Sequence, residues 1–194
     1  VLYATGRKPN TANIGLENTD ITTNERGAIV VNDTCESSVP SVYAVGDVNG
    51  GPQFTYISLD DFRIVFGALT GNGQYTLKDR KNIPYTTFLT PPLARVGLTE
   101  EDAINKGYTV KTKEMLVATM PRAHVNDYLK GAFKIVVNAD NDLILGATLY
   151  SQGAEELINL IKMAMDNNIP YTYFKNQIFT HPTMAENLND LCNF

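Results

Sequence analysis

The chain has 194 residues, 43% hydrophobic and 19% charged, enough apolar material for a buried core and unlike a disordered polyelectrolyte. Its net charge is −5 and no dense basic run occurs, which argues against nucleic acid or an anionic membrane as partner; no apolar run approaches the ~20 residues a membrane span needs. Two cysteines, Cys35 and Cys192, far apart and without metal-like spacing, and only two histidines argue against a metal centre and suit a reducing, cytoplasmic compartment.

Residues 1–5, Val-Leu-Tyr-Ala-Thr, read as a buried strand running into the turn residues Gly6-Arg-Lys-Pro-Asn10. A strand of that kind needs sheet neighbours. With no initiator methionine and no lead-in, the expectation is a piece of a longer protein. Ala28-Ile-Val-Val-Asn32 is a second β-rich run, and Val42-Tyr-Ala-Val45 a third, stopped by Gly46-Asp47. Asn49-Gly-Gly-Pro52 is a loop. From Thr55 the period becomes helical, with Ile57, Phe62, Val65, Phe66 and Leu69 as the predicted apolar face and Gly71-Asn-Gly73 as the stop. The polar stretch 74–83 reads as a linker between two units.

Beyond it, Tyr85–Phe88 and Ala94–Gly97 read as strands. Thr99-Glu-Glu-Asp102 opens a short helix, a threonine cap followed by acids at the positive end of the dipole, and Gly107 closes it. Tyr108–Ala118, Gly131–Asn138 and Leu143–Tyr150 are predicted strands, the last two joined by a hairpin loop at 138–142. Gly153–Asn168 is the clearest helix: Ala154, Leu157, Ile158, Ile161, Ala164 and Met165 share one stripe. Strands followed by helices on one face predict an α+β sandwich over residues 82–194. His124 reads as a loop residue, with Arg122 beside it able to meet an anion. Met163 and Met165 read as core, and Cys35 as structural.

Two constellations can carry chemistry. Asp47 follows the end of a predicted buried strand, where a carboxylate can accept hydrogen bonds from ligand hydroxyls; the helix beginning near Thr55 would aim its first N–H groups into the same crevice. Asp47 can equally cap a turn. His181 stands five residues before Glu186 in His-Pro-Thr-Met-Ala-Glu. The glutamate would orient the imidazole and stabilise its charged form, giving an acid/base pair. The same residues also spell a capping box, Thr183 at the N-cap and Glu186 at N3, with His181 merely leading into the helix. Both roles are compatible, because a carboxylate has two oxygens.

The order of these segments resembles the C-terminal half of the flavoprotein disulfide reductases, the class I pyridine nucleotide-disulfide oxidoreductases. Ala4-Thr-Gly-Arg-Lys-Pro-Asn-Thr11 looks like the family's junction after the NAD(P)-binding domain, and Val42–Asp47 like its second FAD motif. Pro91-Pro92, Val96-Gly-Leu-Thr-Glu100 and the terminal HPTxxE are similar to its dimerisation domain. The resemblance implies an α+β dimerisation domain with an antiparallel sheet and helices over 82–194. Before it, residues 1–75 would be part of the FAD/NAD(P) region of an α/β flavoprotein. It implies FAD contacted by Gly46, Asp47, Gln53, Phe54 and Thr55, with NAD(P)H as reductant. It implies a homodimer in which His181 and Glu186 serve the partner's active site, and cis peptide bonds at Thr90-Pro91 and His181-Pro182. The family's FAD glycine loop, its Cys-x4-Cys pair and its NAD(P) glycine loop have no counterpart here; the resemblance places them upstream, so the chain by itself is expected to bind FAD weakly and not to turn over.

Within the family, HPTxxE argues against mercuric reductases, where a tyrosine commonly replaces the histidine. Lipoamide dehydrogenases carry a further histidine where this chain has Phe179, and glutathione reductase remains open on this motif. Gly50–Asp61, Pro91–Gly97 and Gln177–Met184 look like the bacterial reactive-chlorine-resistance flavoproteins, a subgroup associated with reduction of hypothiocyanous acid. The implied substrate is a small thiol-reactive oxidant or a disulfide. Cys192 resembles the C-terminal thiols that some relatives use to pass substrate, although a lone terminal cysteine is commonly a small buried hydrophobe.

Overall fold

Turns rather than a sheet shape the chain before Lys81. The structure is a computed structural model describing residues 1–194, which form two units, Val1–Arg80 and Lys81–Phe194. In the first, the Asn24 side-chain oxygen accepts the N–H groups of Arg26 and Ala28, at 2.9 and 3.0 Å. Asn32 does the same for Thr34 and Glu36. Asparagine favours such turns because its short amide mimics a backbone carbonyl.

The three strands expected here are not formed. Residues 1–5 are without regular structure and Val1, Leu2 and Tyr3 are fully exposed. Ala28–Asn32 contributes one bridge, Thr23 to Ile29, and Val42–Val45 one more, Glu36 to Tyr43. A strand is defined by a continuous ladder of hydrogen bonds to one neighbour: residues 1–5 meet no ladder partner, and the backbone bonds of the 28–32 run are dispersed over different segments, Ile29 N–H to the Val48 carbonyl and Val30 N–H to that of Thr22.

Helix α1, Thr55–Thr70, forms where the periodicity placed it and ends at Gly71, whose left-handed φ of 73° lets its N–H reach the Gly67 carbonyl. Its inward face shares Ile57, and in part Val65, with the predicted one and otherwise differs. Ile57, Asp61 and Ile64 are buried, while Phe62, Phe66 and Leu69 are 55%, 57% and 65% exposed. An α-helix apolar on more than one side buries the side that has something to bury against. Here that is the 3₁₀ turn Gly46–Asn49, which α1 contacts. The stretch read as a linker is also built. Thr76 and Asp79 form a reciprocal capping box around the 3₁₀ turn Leu77–Asp79, and Leu77 N–H bonds the Asp33 carbonyl.

The second unit realises its alternating pattern as a five-stranded antiparallel sheet. Its strands are β1 (Tyr85–Thr87), β2 (Leu93–Gly97), β3 (Val110–Leu116), β4 (Ala132–Asn138) and β5 (Ile144–Tyr150), in the order β1-β2-β5-β4-β3. The register puts Ala94 opposite Leu149, Leu149 opposite Phe133 and Phe133 opposite Met115. That row and the next, Val96–Ala147–Ile135, make one apolar face. Helix α4, Ala154–Asp166, lays Ala154, Leu157, Ile158, Ile161 and Ala164 into the same core. Burying each such side chain is worth roughly 1.5–3 kcal/mol.

Helix α2, Glu100–Asn105, is capped by Thr99 as its sequence requires: Thr99 Oγ1 accepts the Asp102 N–H at 3.0 Å. Helix α3, Pro121–Val125, carries His124, which is therefore helical rather than a loop residue, with its Nε2 2.8 Å from the Ala118 carbonyl. Pro121 at the first helical position explains why a short helix starts there. Met163 lies outside the core at 60% exposure, whereas Met165 packs against it. Helices α5 (Tyr171–Asn176) and α6 (Asn187–Leu191) add Tyr171, Phe174, Leu188, Leu191 and Cys192 to the core. The Lys113 ammonium donates to the carbonyls of Asp190 and Asn193 at 2.7 and 2.5 Å, fastening the end of α6 to β3.

Candidate functional site

Residues 177–186 connect α5 to α6 without regular secondary structure, and their shape depends on side chains. The His181-Pro182 and Thr90-Pro91 peptide bonds are both cis. Asn189 holds the start of the segment through its side-chain amide, 2.6 Å from the Phe174 carbonyl and 2.9 Å from that of Gln177. Thr183 Oγ1 donates to the Thr180 carbonyl at 2.7 Å.

Glu186 joins the two readings of its sequence. Its Oε1 accepts the Thr183 N–H at 3.1 Å, and the Glu186 N–H returns a bond to Thr183 Oγ1 at 3.2 Å, the reciprocal pattern of a capping box. Its Oε2 lies 2.7 Å from His181 Nδ1. The expected helix start differs by a turn: α6 begins at Asn187, with Glu186 itself in the capping position. The histidine bond, the largest of the causes, holds the Glu186 carboxyl below the usual carboxylate range. The ring is 68% exposed and the carboxylate 18% exposed, so a partly buried carboxylate, fixed by the loop backbone, orients an accessible imidazole. With Nδ1 engaged, Nε2 is the nitrogen left to face a reactant.

The Asp47 turn is in the other unit. Gly46–Asn49 is a 3₁₀ turn, and Gly46 takes φ 73° where a Cβ would meet Ser58 Oγ of α1 at 2.7 Å. Asp47 is half exposed and its Oδ2 lies 3.8 Å from Arg7 Nη1, within the segment 4–11. The N-terminus of α1 has no side-chain cap, its N-cap position being Phe54. Phe54 and Tyr56 stack at 5.0 Å, and Thr55 is exposed. An accessible carboxylate suits ligand hydroxyls, and an uncapped sixteen-residue helix suits an electron-rich group. A carboxylate acceptor beside helix N–H donors fits the sugar-alcohol chain and electron-rich ring edge of a flavin.

Sequence reading missed Asp61, which is fully buried and receives the Gly46 N–H at 2.8 Å and Asn49 Nδ2 at 2.9 Å. Its spacing from Ile57 and Ile64 was the available signal, but it points inward only once the phase of α1 is fixed. Cys35 and Cys192 are both fully buried and belong to different units. Burial is the main reason their thiols are pushed up, to about 11 and about 12. A thiol–disulfide exchange centre needs accessible thiolates, and neither cysteine supplies one. No group of acidic, histidine or cysteine side chains is arranged to hold a metal ion. No helix is long and apolar enough to cross a membrane.

A five-stranded antiparallel sheet, a HPTxxE loop and a Gly-Asp turn under a helix define a class of protein. The profile of the pyridine nucleotide-disulphide oxidoreductase dimerisation domain matches residues 83–192, and that of the pyridine nucleotide-disulphide oxidoreductases matches residues 1–61. The chain belongs to this family. Among individual relatives it is similar to the probable pyridine nucleotide-disulfide oxidoreductase RclA of Escherichia coli K12. The two are 48% identical over 191 residues, which is 98% of this chain and 43% of RclA. The solved structure of E. coli RclA, described as a HOCl-induced flavoprotein disulfide reductase, superposes with a TM-score of 0.94 over 97% of this chain and 43% of that one. Mercuric reductase of Staphylococcus aureus is 37% identical over 97% of this chain and 34% of that protein. The chain thus spans less than half the length of the relatives it matches.

Proposed function

We propose that this chain is the dimerisation domain and part of the flavin site of a cytoplasmic, homodimeric, FAD-dependent NAD(P)H:disulfide-type oxidoreductase that reduces a thiol-reactive oxidant. In this reading residues 82–194 form the dimerisation domain, and residues 1–75 supply the end of the nucleotide-binding region and the flavin-contacting segment. His181 is the acid/base, Glu186 orients it, and Gly46, Asp47, Gln53, Phe54 and Thr55 contact FAD. The observation that carries the proposal is the 2.7 Å bond between Glu186 Oε2 and His181 Nδ1 beneath an exposed ring.

The chemistry assigned to this chain is proton handling. With Nδ1–H directed at Glu186, the neutral ring presents a lone pair at Nε2. It takes the proton of an attacking thiol and returns it to the leaving group, while the Glu186 carboxylate balances the transient positive charge. A bound flavin supplies two-electron transfer between NAD(P)H and a pair of redox thiols. Those thiols are assigned outside these residues, because Cys35 and Cys192 are each buried and belong to different units. The similarity to RclA, a protein described as HOCl-induced, supports a reactive-chlorine-derived oxidant over glutathione disulfide or a lipoyl disulfide.

His181→Gln in the complete flavoprotein is expected to lower kcat by about a hundredfold or more with the dimer intact. Reoxidation of the NAD(P)H-reduced enzyme by hypothiocyanite but not by glutathione disulfide would support the assigned substrate class. The 194-residue chain alone is expected to bind FAD weakly and to show no turnover.

A second reading rests on the other oxygen. Glu186 Oε1 holds the Thr183 N–H, so the pair can serve only to shape a non-catalytic dimerisation module. In that case His181→Gln disturbs the dimer and leaves intrinsic turnover nearly unchanged.

A further inference from the structure

The turn that presents Asp47 is held by a second, buried carboxylate. Asp61 lies on α1, one turn past Ser58, and is completely inaccessible. A single oxygen, Oδ2, accepts from both ends of the turn: the Gly46 N–H at 2.8 Å and Asn49 Nδ2 at 2.9 Å. Asn49 continues the chain of bonds, donating to the Ala44 carbonyl at 3.3 Å and accepting the Gly51 N–H at 3.0 Å. The other oxygen of Asp61 receives Arg80 Nη2.

A buried charge is tolerated only when paired and hydrogen-bonded. Arg80, 10% exposed, meets this requirement from a distant part of the sequence, and its Nε donates to Asp60 at 2.7 Å. Tyr75 Oη adds a contact to Asp60 at 3.3 Å. The capping box at Thr76–Asp79 sets the backbone immediately before Arg80. The stretch 75–80 thus acts as a clasp that delivers one guanidinium under the turn.

We infer that Asp61, neutralised by Arg80, is the positioning residue of the flavin-contacting turn, fixing Gly46–Asn49 so that the Asp47 carboxylate faces the cofactor. The inference rests on the reading of Asp47 as a flavin ligand. Asp61 itself touches no cofactor in this scheme. It acts through the backbone N–H of the residue before Asp47, where loss of a bond to a charged acceptor changes the direction of a side chain without removing it. Gly46 and Ser58 leave the turn little room to move in compensation, because a Cβ at Gly46 would already collide with Ser58 Oγ.

The test is a double-mutant cycle in the complete flavoprotein, using Asp61→Asn, Asp47→Ala and both together. Reconstitution of the apoprotein gives the FAD Kd, and visible circular dichroism gives the pose of the bound flavin. Asp61→Asn is expected to raise the FAD Kd about tenfold or more and to change the dichroism in the same sense as Asp47→Ala. In the Asp47→Ala background the same change should cost little further, because a residue that acts through Asp47 has nothing left to position.

Additive effects, or an Asp61→Asn protein with native FAD affinity and dichroism, would overturn the inference while leaving the Asp47 reading intact. If Asp47→Ala alone leaves FAD binding unchanged, both fall together. Should Asp61→Asn fail to fold, Arg80→Gln enters the same cycle. It removes the guanidinium that lets a fully buried carboxylate stay ionised and hold the Gly46 N–H, and the same coupling or additivity decides the matter.

Discussion

The two units put their apolar sequence to different ends. Lys81–Phe194 closes on itself: five strands find partners, and α4 covers the face they make. Val1–Arg80 has one long helix, isolated bridges and an outward stripe of Phe62, Phe66 and Leu69. Hydrophobic pattern therefore specifies structure only where complementary surface exists within the same chain. The second unit satisfies the pattern with long-range ladders. The first satisfies it with side-chain turns and one buried ion pair.

That contrast can be broken most directly in the core. Phe133→Ala, at a fully buried site, should lower the stability of the second unit by about 3–5 kcal/mol in chemical denaturation. A much smaller loss would mean that the sheet is looser than its register implies. The cysteines offer an internal comparison. With thiols pushed up to about 11 at Cys35 and about 12 at Cys192, both should resist alkylation at neutral pH until their units open. Cys35 should label first, by about tenfold or more, because its unit has fewer ladders to break. Faster labelling of Cys192 would invert the comparison.

Smaller effects sharpen it. The Glu186 carboxyl is held low by its bond with His181. A depressed folded-state value means that this pair stabilises the protein above the unfolded glutamate value, about 4.3, and that the contribution disappears as pH falls through the lowered value. The stability difference between native protein and Glu186→Gln should therefore be present near neutrality and shrink on the acid side. A difference that stays constant down the acid limb would show that the bond contributes no ionic stabilisation. Thr99→Ala, which removes the α2 cap, should cost about 1 kcal/mol. Phe66→Ser on the exposed stripe should stay within about 0.5 kcal/mol in this chain.

The sequence was most informative where the information is local. The α2 cap, the α4 stripe and the hairpin at 138–142 are written in neighbouring residues, and all three form as read. The His181–Glu186 contact was equally visible, because five residues separate its members and one carboxylate can reach both targets. The strand at 1–5 and the inward face of α1 were not legible, since each depends on what lies opposite. Asp61 shows the same limit from the other side. A charged residue in a helical run reads as solvated until the phase of the helix and the position of Arg80, distant in sequence, are both known.

Glu186 gives one oxygen to the loop backbone and the other to the imidazole. The shape of the loop and the orientation of the ring are thus inherited through a single codon. Selection cannot tune one without testing the other, and a lineage that exchanges His181 for another residue still has a structural reason to keep the glutamate.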